Sequence, residues 1–254
     1  MAGLVTGDSM PVAVLGGGET NPDVSLLYDI NGIAKDAPHW TDRAVEFIGE
    51  YGIVLGLAVL MLCAWWSVRK SKDAPAGVAA LLWSPLAAGI ALLINMPIRG
   101  FVRRPRPFLD HQGLEVLVKG KTDFSFVSDH ATLTMALGVG LFVANRKYGL
   151  IGIGLALLEG FCRVYMGVHY PTDVVGGLAL GTAVTLLLAP PAMMLLTPLT
   201  GWLAGTRCGW LVRAGGSAVD TVDTAVVPAA TAEAVSGAAG RGHEVRAQDR
   251  DLAA

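Results

Sequence analysis

His169 and Asp173 are the two residues of this sequence whose types and spacing best suit covalent or acid–base chemistry. Residues four apart on a helical turn share a face, so the Asp173 carboxylate can reach one imidazole nitrogen of His169. That contact would fix the tautomer and leave the other nitrogen as a nucleophile or a base. Pro171 favours a helix that begins here, because proline is tolerated in a first turn. Arg163 precedes this pair by six residues.

A second cluster is dense in guanidinium groups and is stiffened by two prolines. Its basic residues are Arg99, Arg103, Arg104 and Arg106. Guanidinium forks match phosphate oxygens bidentately and stay charged where the dielectric constant is low. Taken alone, the cluster suits a basic patch for anionic headgroups equally well. The roles of Arg103 and Arg104, as contacts to a second phosphate or as solvated loop charges, stay open.

The third cluster, Ser128-Asp129-His130, directly precedes an apolar run. Ser128 or Asp129 is suited to cap a helix there, and the free N–H groups of a helix start favour an anion. His130 would lie in the first turn. A single histidine at such a place is usually structural. Its meaning depends on the other two clusters lying at the same face of the protein.

The elements that must position these residues are membrane helices. Hydrophobic residues make up 53% of the 254 residues and charged residues 16%, against about 25% charged in soluble domains. Residues 51–68 and 74–98 carry no charge, and about 20 such residues cross the hydrocarbon of a bilayer. Two buried core helices are the alternative. Shorter spans are predicted over 131–145, 148–162 and 174–189, with a break at Pro190-Pro191.

The sequence therefore predicts an all-α polytopic membrane helix bundle of five to six helices. Residues 1–48 form an N-terminal segment with an interfacial amphipathic helix over 24–37. Residues 49–213 form the membrane domain. Residues 214–254 form a disordered tail, with Ala-rich helical turns as the alternative.

Loop charges predict the orientation. Five spans place three basic loops on one side, which the positive-inside rule makes cytoplasmic; their residues are Arg69, Lys70, Lys72, Arg146, Lys147, Arg207 and Arg213. The arginine cluster then lies on the opposite, extracytoplasmic side. It breaks the rule, and a need to bind anions there would explain why.

The three clusters together resemble the signature motifs of the phosphatidic acid phosphatase type 2 superfamily. The family pattern is Lys-x6-Arg-Pro, then Pro-Ser-Gly-His, then Ser-Arg-x5-His-x3-Asp. Order and spacing match throughout, in Arg99-x6-Arg106-Pro107, Val127-Ser128-Asp129-His130 and Cys162-Arg163-x5-His169-x3-Asp173. The region that carries the resemblance runs from about residue 40 to residue 195.

The resemblance implies a role for each matched position. His169 corresponds to the nucleophile that forms a phosphohistidine, Asp173 to its orienting partner and His130 to the general acid. The phosphate cradle corresponds to Arg99, Arg106, Ser128 and Arg163, with Asp129 beside it. The family needs neither a metal nor another cofactor, and guanidinium groups with helix N–H donors can neutralise a phosphoryl transition state.

Four positions depart from the pattern: Arg99 for lysine, Val127 for proline, Cys162 for serine and Asp129 for glycine. Asp129 makes the chain similar to undecaprenyl-diphosphate phosphatases of the bacitracin-resistance type. The added carboxylate could pair with an arginine or discriminate between charge states of the phosphate. Glu159, four residues before Arg163, predicts an intrahelical ion pair rather than a catalytic group.

The expected function is hydrolysis of a polyprenyl diphosphate in the cell membrane, with a lipid as partner and no nucleic acid. A phosphatase of glycerolipid monophosphates and a non-catalytic lipid-binding relative are the alternatives. A transporter or channel is disfavoured, because ionisable residues in mid-span are nearly absent. The sequence does not determine the oligomeric state.

Overall fold

The computed structural model describes residues 21–118 and 120–214. These residues form helices and connecting segments with no strand among them, which confirms the predicted all-α bundle. The helices are α1 (Pro22–Asp36), α2 (His39–Phe47), α3 (Ile53–Val68), α4 (Ala74–Val102), α5 (Pro107–Asp110), α6 (Asp129–Ala144), α7 (Arg146–Tyr165) and α8 (Pro171–Ala204). The predicted disordered tail lies outside the described residues, apart from its first residue.

Among the residues that the structure describes, four helical runs are long and apolar enough to cross a membrane: His39–Val68, Ala74–Asp110, Arg146–Tyr165 and Pro171–Ala204. The remaining predicted span, residues 131–145, corresponds to α6, which has 16 residues and a length of about 24 Å. It packs against α4, α7 and α8, and nearly every residue from Ala131 to Leu141 is buried. The chain is thus a multi-pass membrane protein built around α6.

The predicted break at Pro190-Pro191 is wrong, because α8 continues through both prolines and through Pro198 to Ala204. Proline removes one backbone hydrogen bond, but neighbouring helices and hydroxyl groups can satisfy the freed carbonyls inside a membrane. The far part of α8 is held in this way. Leu196 packs in an apolar cluster with Trp83, and the Thr200 hydroxyl lies 2.8 Å from the Pro75 carbonyl oxygen.

The first span begins earlier than the charge-free run predicted. Helix α2 begins at His39 and passes through a π-helical turn, Ile48–Gly52, into α3. The predicted boundary at residue 48 therefore falls inside a continuous helical run. Charged residues at the start of this run ended the apolar pattern without ending the helix.

The predicted N-terminal helix is present as α1, and it packs on the protein. Leu27 is fully buried, and the buried Asn31 amide donates to the carbonyl oxygens of Glu115 and Tyr165, each at 2.8 Å. Leu26 and Ile33 remain about half exposed. One face of α1 is therefore fixed to the bundle, while the other is free to meet the membrane interface.

Close helix packing relies on glycine where α6 and α7 cross. A Cβ atom built on Gly138 would lie 2.8 Å from the Gly152 backbone carbon. No side chain fits at that distance, so the pair permits backbone contact, as small residues do in membrane bundles. This packing fixes the two ends of α6 and α7 that carry His130 and Arg163.

The three basic loops share one end of the bundle, as the topology predicted. The Ala214 N–H donates to the Arg69 carbonyl oxygen at 3.0 Å, and the Trp65 indole N–H donates to Leu211 at 2.9 Å. Asn145 lines the same cavity as Ser67. The motif residues of α4, α6, α7 and α8 lie at the opposite end.

Candidate active site

The site forms where four helix ends meet. It is built by the segment after α4, the start of α6, the end of α7 and the turn that leads into α8. The Ser128 N–H donates to the Asp173 carbonyl oxygen at 3.1 Å, which joins the start of α6 directly to the start of α8. The structure thus brings the three sequence clusters together at one end of the bundle.

One backbone carbonyl determines the tautomer of His169. The imidazole Nδ1 lies 3.0 Å from the Ser125 carbonyl oxygen. A carbonyl only accepts hydrogen bonds, so Nδ1 carries the proton and Nε2 presents its lone pair. The residue is 5% exposed. The structure therefore leaves Nε2 as the unprotonated nitrogen of a buried and oriented ring.

Arg106 lies beside that nitrogen. Its Nη1 is 3.4 Å from His169 Nε2 and donates to the Val168 carbonyl oxygen at 2.9 Å. Its Nε donates to the backbone carbonyl of Asp123 at 3.0 Å, and its Nη2 donates to the Asp123 carboxylate at 2.8 Å. The guanidinium is thus fixed in place, and an anion that replaces its contact with His169 would lie against Nε2.

Burial and charge both keep His169 neutral. Loss of hydration lowers the pKa of its imidazole below the ordinary value of 6.5, and the positive charge of Arg106 lowers it further. The Asp173 carboxylate opposes this change without reversing it. A neutral imidazole with an accessible lone pair is the form that attacks phosphorus.

Asp173 is arranged differently from the expectation. Its Oδ2 is 3.7 Å from His169 Nδ1, which exceeds a hydrogen bond. The same oxygen accepts the Tyr170 N–H at 2.9 Å, closing a capping box at the start of α8. Asp173 therefore holds the turn that carries His169, and Ser125 makes the direct contact to Nδ1.

Arg104 is a residue of the site that the sequence left undecided. Its Nη1 donates to Asp173 Oδ1 at 2.9 Å, its Nη2 binds Asp23 of α1 at 2.6 Å, and its guanidinium stacks 3.7 Å from the Tyr170 ring centre. It is neither a solvated charge nor free for a second phosphate. The pairing with Asp23 joins α1 to the site, and no local sequence pattern predicts it.

Asp129 pairs with an arginine, one of the two roles that the sequence left open. Its carboxylate binds Arg99 and accepts the Asn95 amide at 2.6 Å. Asn95 also donates to the Val127 carbonyl oxygen at 3.0 Å. Asp129 therefore fixes the Arg99 side chain against α6. The Arg99 Nε is buried without a partner in the described part of the chain.

Asp123, on the loop between α5 and α6, bridges two arginines of the predicted cradle. One carboxylate oxygen lies 2.9 Å from Arg99 Nη1 and the other lies 2.8 Å from Arg106 Nη2. Partial burial alone would raise the pKa of this carboxyl, but the hydrogen bond from Arg106 and the nearby positive charges hold the pKa below its usual range. The side chain is 44% exposed. A phosphate that enters from solvent would thus compete with Asp123 for both guanidinium groups.

Ser128 caps α6, as its sequence position indicated. The buried hydroxyl accepts the Ala131 N–H at 3.5 Å, and His130 follows in the first turn. The start of α6, with its backbone N–H groups and His130, therefore lies at the end of the bundle that carries the arginines. Such helix ends favour anions.

Arg163 is fully buried at the end of α7. The predicted ion pair is confirmed, because Arg163 Nε lies 2.7 Å from Glu159 Oε1. Two further partners come from the π turn of the first span: the Glu50 carboxylate at 2.5 Å and the Gly49 carbonyl oxygen at 2.7 Å. The sequence did not single out Glu50, because in the sequence this residue only precedes the charge-free run 51–68.

A groove leads away from the site along the membrane face of α4. It has a volume of about 480 Å³, and its lining is mainly apolar: Gly89, Leu92, Leu93, Met96, Arg99 and Asp129.

Within residues 21–118 and 120–214, no group of three or more His, Cys, Asp or Glu side chains could hold a metal ion.

The chain has relatives among known proteins. The model of the PAP2 superfamily matches residues 79–192. The undecaprenyl-diphosphatase BcrC of Bacillus subtilis is 33% identical over 148 residues, which cover 58% of this chain and 72% of the relative. The decaprenylphosphoryl-5-phosphoribose phosphatase of Mycobacterium tuberculosis is 32% identical and covers 64% of this chain and 86% of its own. A crystal structure of a PAP2 type phosphatidylglycerolphosphate phosphatase from Bacillus subtilis aligns with a TM-score of 0.48 at 25% identity, covering 68% of this chain and 87% of its own.

Proposed function

The chain belongs to the PAP2 superfamily and is a membrane lipid phosphatase, and we propose that it hydrolyses a polyprenyl diphosphate to the monophosphate and inorganic phosphate. The observation that carries the proposal is the environment of His169. Its Nδ1 proton is committed to Ser125, and its Nε2 lone pair lies 3.4 Å from an arginine that can hold the reacting phosphate.

The reaction has two steps. In the first, His169 Nε2 attacks the terminal phosphorus, and the bond between that phosphorus and the bridging oxygen breaks. His130 donates a proton to the departing oxygen of the lipid monophosphate. In the second, His130 takes a proton from a water molecule as the water oxygen attacks the phosphohistidine, the bond between phosphorus and Nε2 breaks, and inorganic phosphate leaves the neutral His169. Each step needs correct orientation of the reacting groups and stabilisation of the charge that develops on the phosphate.

The guanidinium groups supply the positive charge that a phosphoryl transition state needs. Arg106 lies against the nucleophilic nitrogen, and Arg99 continues the row on the other side of Asp123. A row of two arginines suits the two phosphates of a diphosphate better than a single monoester. We assign the terminal phosphate to Arg106 and the inner phosphate to Arg99, with no metal ion required.

A lipid chain is supported by the groove on α4. The groove contacts Arg99 and Asp129 at one end and is apolar beyond them. Gly89 and Arg99 are ten residues apart, or about 15 Å along the helix axis, which is half the hydrocarbon thickness of a bilayer. A hydrocarbon chain lying there would present its phosphate to the cradle.

The positive-inside rule supports an extracytoplasmic site. The basic loops share one end of the bundle, and the histidines lie at the other. An enzyme with this orientation would act on a lipid diphosphate exposed at the outer face. Cysteine accessibility at Cys208, in the basic-loop region, would test the orientation in intact cells.

A panel of lipids tests the substrate. The purified protein is incubated with undecaprenyl diphosphate, phosphatidic acid and phosphatidylglycerophosphate in detergent with EDTA, and released phosphate is measured. Fastest release from the diphosphate supports the proposal. Faster release from a glycerolipid monophosphate would replace it, and this is the named activity of a 30% identical relative, phosphatidylglycerophosphatase B of Bacillus subtilis. Loss of activity with EDTA would refute the metal-independent mechanism.

A further inference from the structure

Glu50 is a charged residue inside the first membrane span. It is the only charged residue between Phe47 and Val68, and it lies on the π turn between α2 and α3. Ionisable groups in spans are costly to bury and are kept where they have a partner or a function. π turns also concentrate at functional sites. Both facts call for a role that the three sequence motifs do not assign.

The partner of Glu50 is Arg163. Glu50 Oε1 lies 2.5 Å from Arg163 Nη1, and the neighbouring Gly49 carbonyl oxygen accepts a hydrogen bond from Arg163 Nη2 at 2.7 Å. The π turn therefore supplies one side-chain acceptor and one backbone acceptor. The Glu50 side chain is only 15% exposed, so solvent weakens this pair little.

A close approach of the first span to α7 makes these contacts possible. A Cβ atom on Gly49 would lie 2.9 Å from the Met166 methyl carbon and 3.0 Å from the Cys162 Cβ. Any side chain at this position would require the Met166 methyl group and Cys162 to shift. The span is thus held against the turn of α7 that carries Arg163.

Arg163 has two carboxylate partners. Glu159 binds its Nε at 2.7 Å and is fully buried, and Glu50, the second, also lies 3.6 Å from the Lys121 Nζ. A second carboxylate beside an anion site raises the cost of binding phosphate. Its presence therefore calls for a compensating gain.

The gain is orientation. A guanidinium has five N–H donors, and Glu159, Glu50 and Gly49 hold one each on Nε, Nη1 and Nη2. One N–H then remains on each terminal nitrogen. With all three nitrogens anchored, the guanidinium plane does not rotate. Two donors in a fixed plane form the fork that binds two phosphate oxygens.

We infer that Glu50 is a positioning residue for phosphoryl transfer, acting through Arg163. It fixes the guanidinium so that the two remaining N–H groups meet the equatorial oxygens of the reacting phosphate, which gain charge in the transition state. The inference rests on the proposed function, since Arg163 has no phosphate to bind otherwise. Its effect should appear mainly in the transition state, where precise geometry matters most.

The test compares Glu50→Gln with Glu46→Gln, a control one turn earlier in the same span. Glutamine keeps the shape of Glu50 but replaces its charge-assisted hydrogen bond to Arg163 with a weaker neutral one, so the guanidinium is anchored less firmly. We expect kcat to fall roughly 10- to 100-fold, the loss typical of a charge-assisted hydrogen bond. Inhibition by orthovanadate, which imitates the transition state, should weaken by a similar factor. KM and inhibition by inorganic phosphate should change less than about threefold, and the control should match the wild type.

Three results overturn the inference: kcat within threefold of the wild type, a lower kcat with unchanged vanadate inhibition, or equal losses for vanadate and phosphate. If Glu50→Gln does not fold, Glu50→Asp decides by the same three measurements, since it keeps the charge but withdraws the carboxylate by one methylene. A wild-type protein that releases phosphate from no lipid would refute the proposed function instead. The two failures are therefore distinguishable.

Discussion

Arg106 and His169 form the central contact of the site, with Nη1 and Nε2 separated by 3.4 Å. The guanidinium donates, so the imidazole nitrogen must accept, in agreement with a proton on Nδ1. The same arginine is anchored to Val168 and Asp123. A phosphate that replaces part of this contact arrives with its phosphorus beside the nucleophile.

Arg106→Lys should lower kcat/KM by roughly 100-fold, because an ammonium cannot hold the Val168 carbonyl, the Asp123 groups and a phosphate together. Arg103→Lys is the matched control, since Arg103 is exposed and its one side-chain hydrogen bond within the described residues is to the Gly100 carbonyl oxygen. Phosphate release from the preferred lipid is the measurement. Equal activity of the two variants would contradict the placement of phosphate at Arg106.

The pH dependence should report the buried imidazole. Burial and then the charge of Arg106 lower the pKa of His169 below 6.5. The neutral, active form is present above the lowered pKa and is lost as pH falls through it, so the acid limb of kcat/KM should lie below pH 6.5. Measuring the pH profile with both a monoester and a diphosphate distinguishes ionisation of the enzyme from ionisation of the substrate. A limb at or above pH 6.5 with both substrates would argue against a neutral buried His169.

Asp123→Asn should strengthen phosphate binding. The carboxylate bridges Arg99 and Arg106, so a bound phosphate must displace it and also face its charge. We expect the inhibition constant of inorganic phosphate to fall severalfold, with little change in Asp110→Asn, an exposed carboxylate nearby. Weaker inhibition in Asp123→Asn would show that Asp123 supports the cradle and does not compete with phosphate.

Gly89→Leu should discriminate between long and short substrates. A Cβ atom on Gly89 meets nothing within 4 Å, so leucine fills the α4 groove without disturbing the helix packing. We expect KM for a long polyprenyl diphosphate to rise about tenfold, with a short water-soluble phosphate ester unaffected. Gly154→Leu, equally unhindered but on α7, is the control. An equal effect on both substrates would refute a chain site in the groove.

The parts of the site that follow local patterns were predictable. The Ser128 cap of α6 was predictable because a hydroxyl residue before an apolar run is a helix-start signal. The position of His130 in the first turn follows from the cap. The pair of Glu159 and Arg163 follows from their spacing on one helix face. The placement of the site at the end of the bundle opposite the basic loops followed from the number of predicted spans.

Contacts between distant elements were not predictable. Glu50 reaches Arg163 across 113 residues, and Asp23 reaches Arg104 across 81 residues. Neither pair has a spacing signal, because their proximity depends on how whole helices pack. The prediction that Asp173 contacts His169 considered spacing alone, whereas the carboxylate also has a capping box and Arg104 to satisfy. The predicted helix break at Pro190-Pro191 was wrong, because contacts with other helices hold the far part of α8 in place.

The most direct test of the account is to trap the intermediate. The protein is mixed with a polyprenyl diphosphate labelled in its terminal phosphate, quenched in alkali and digested, and the labelled peptide is analysed by mass spectrometry and ³¹P NMR. We predict an acid-labile phosphate on Nε2 of His169, absent from His169→Ala. A label on Nδ1 or on another residue would contradict the account. So would a wild-type protein that turns over without any trapped phosphohistidine, together with near-full activity in His169→Ala.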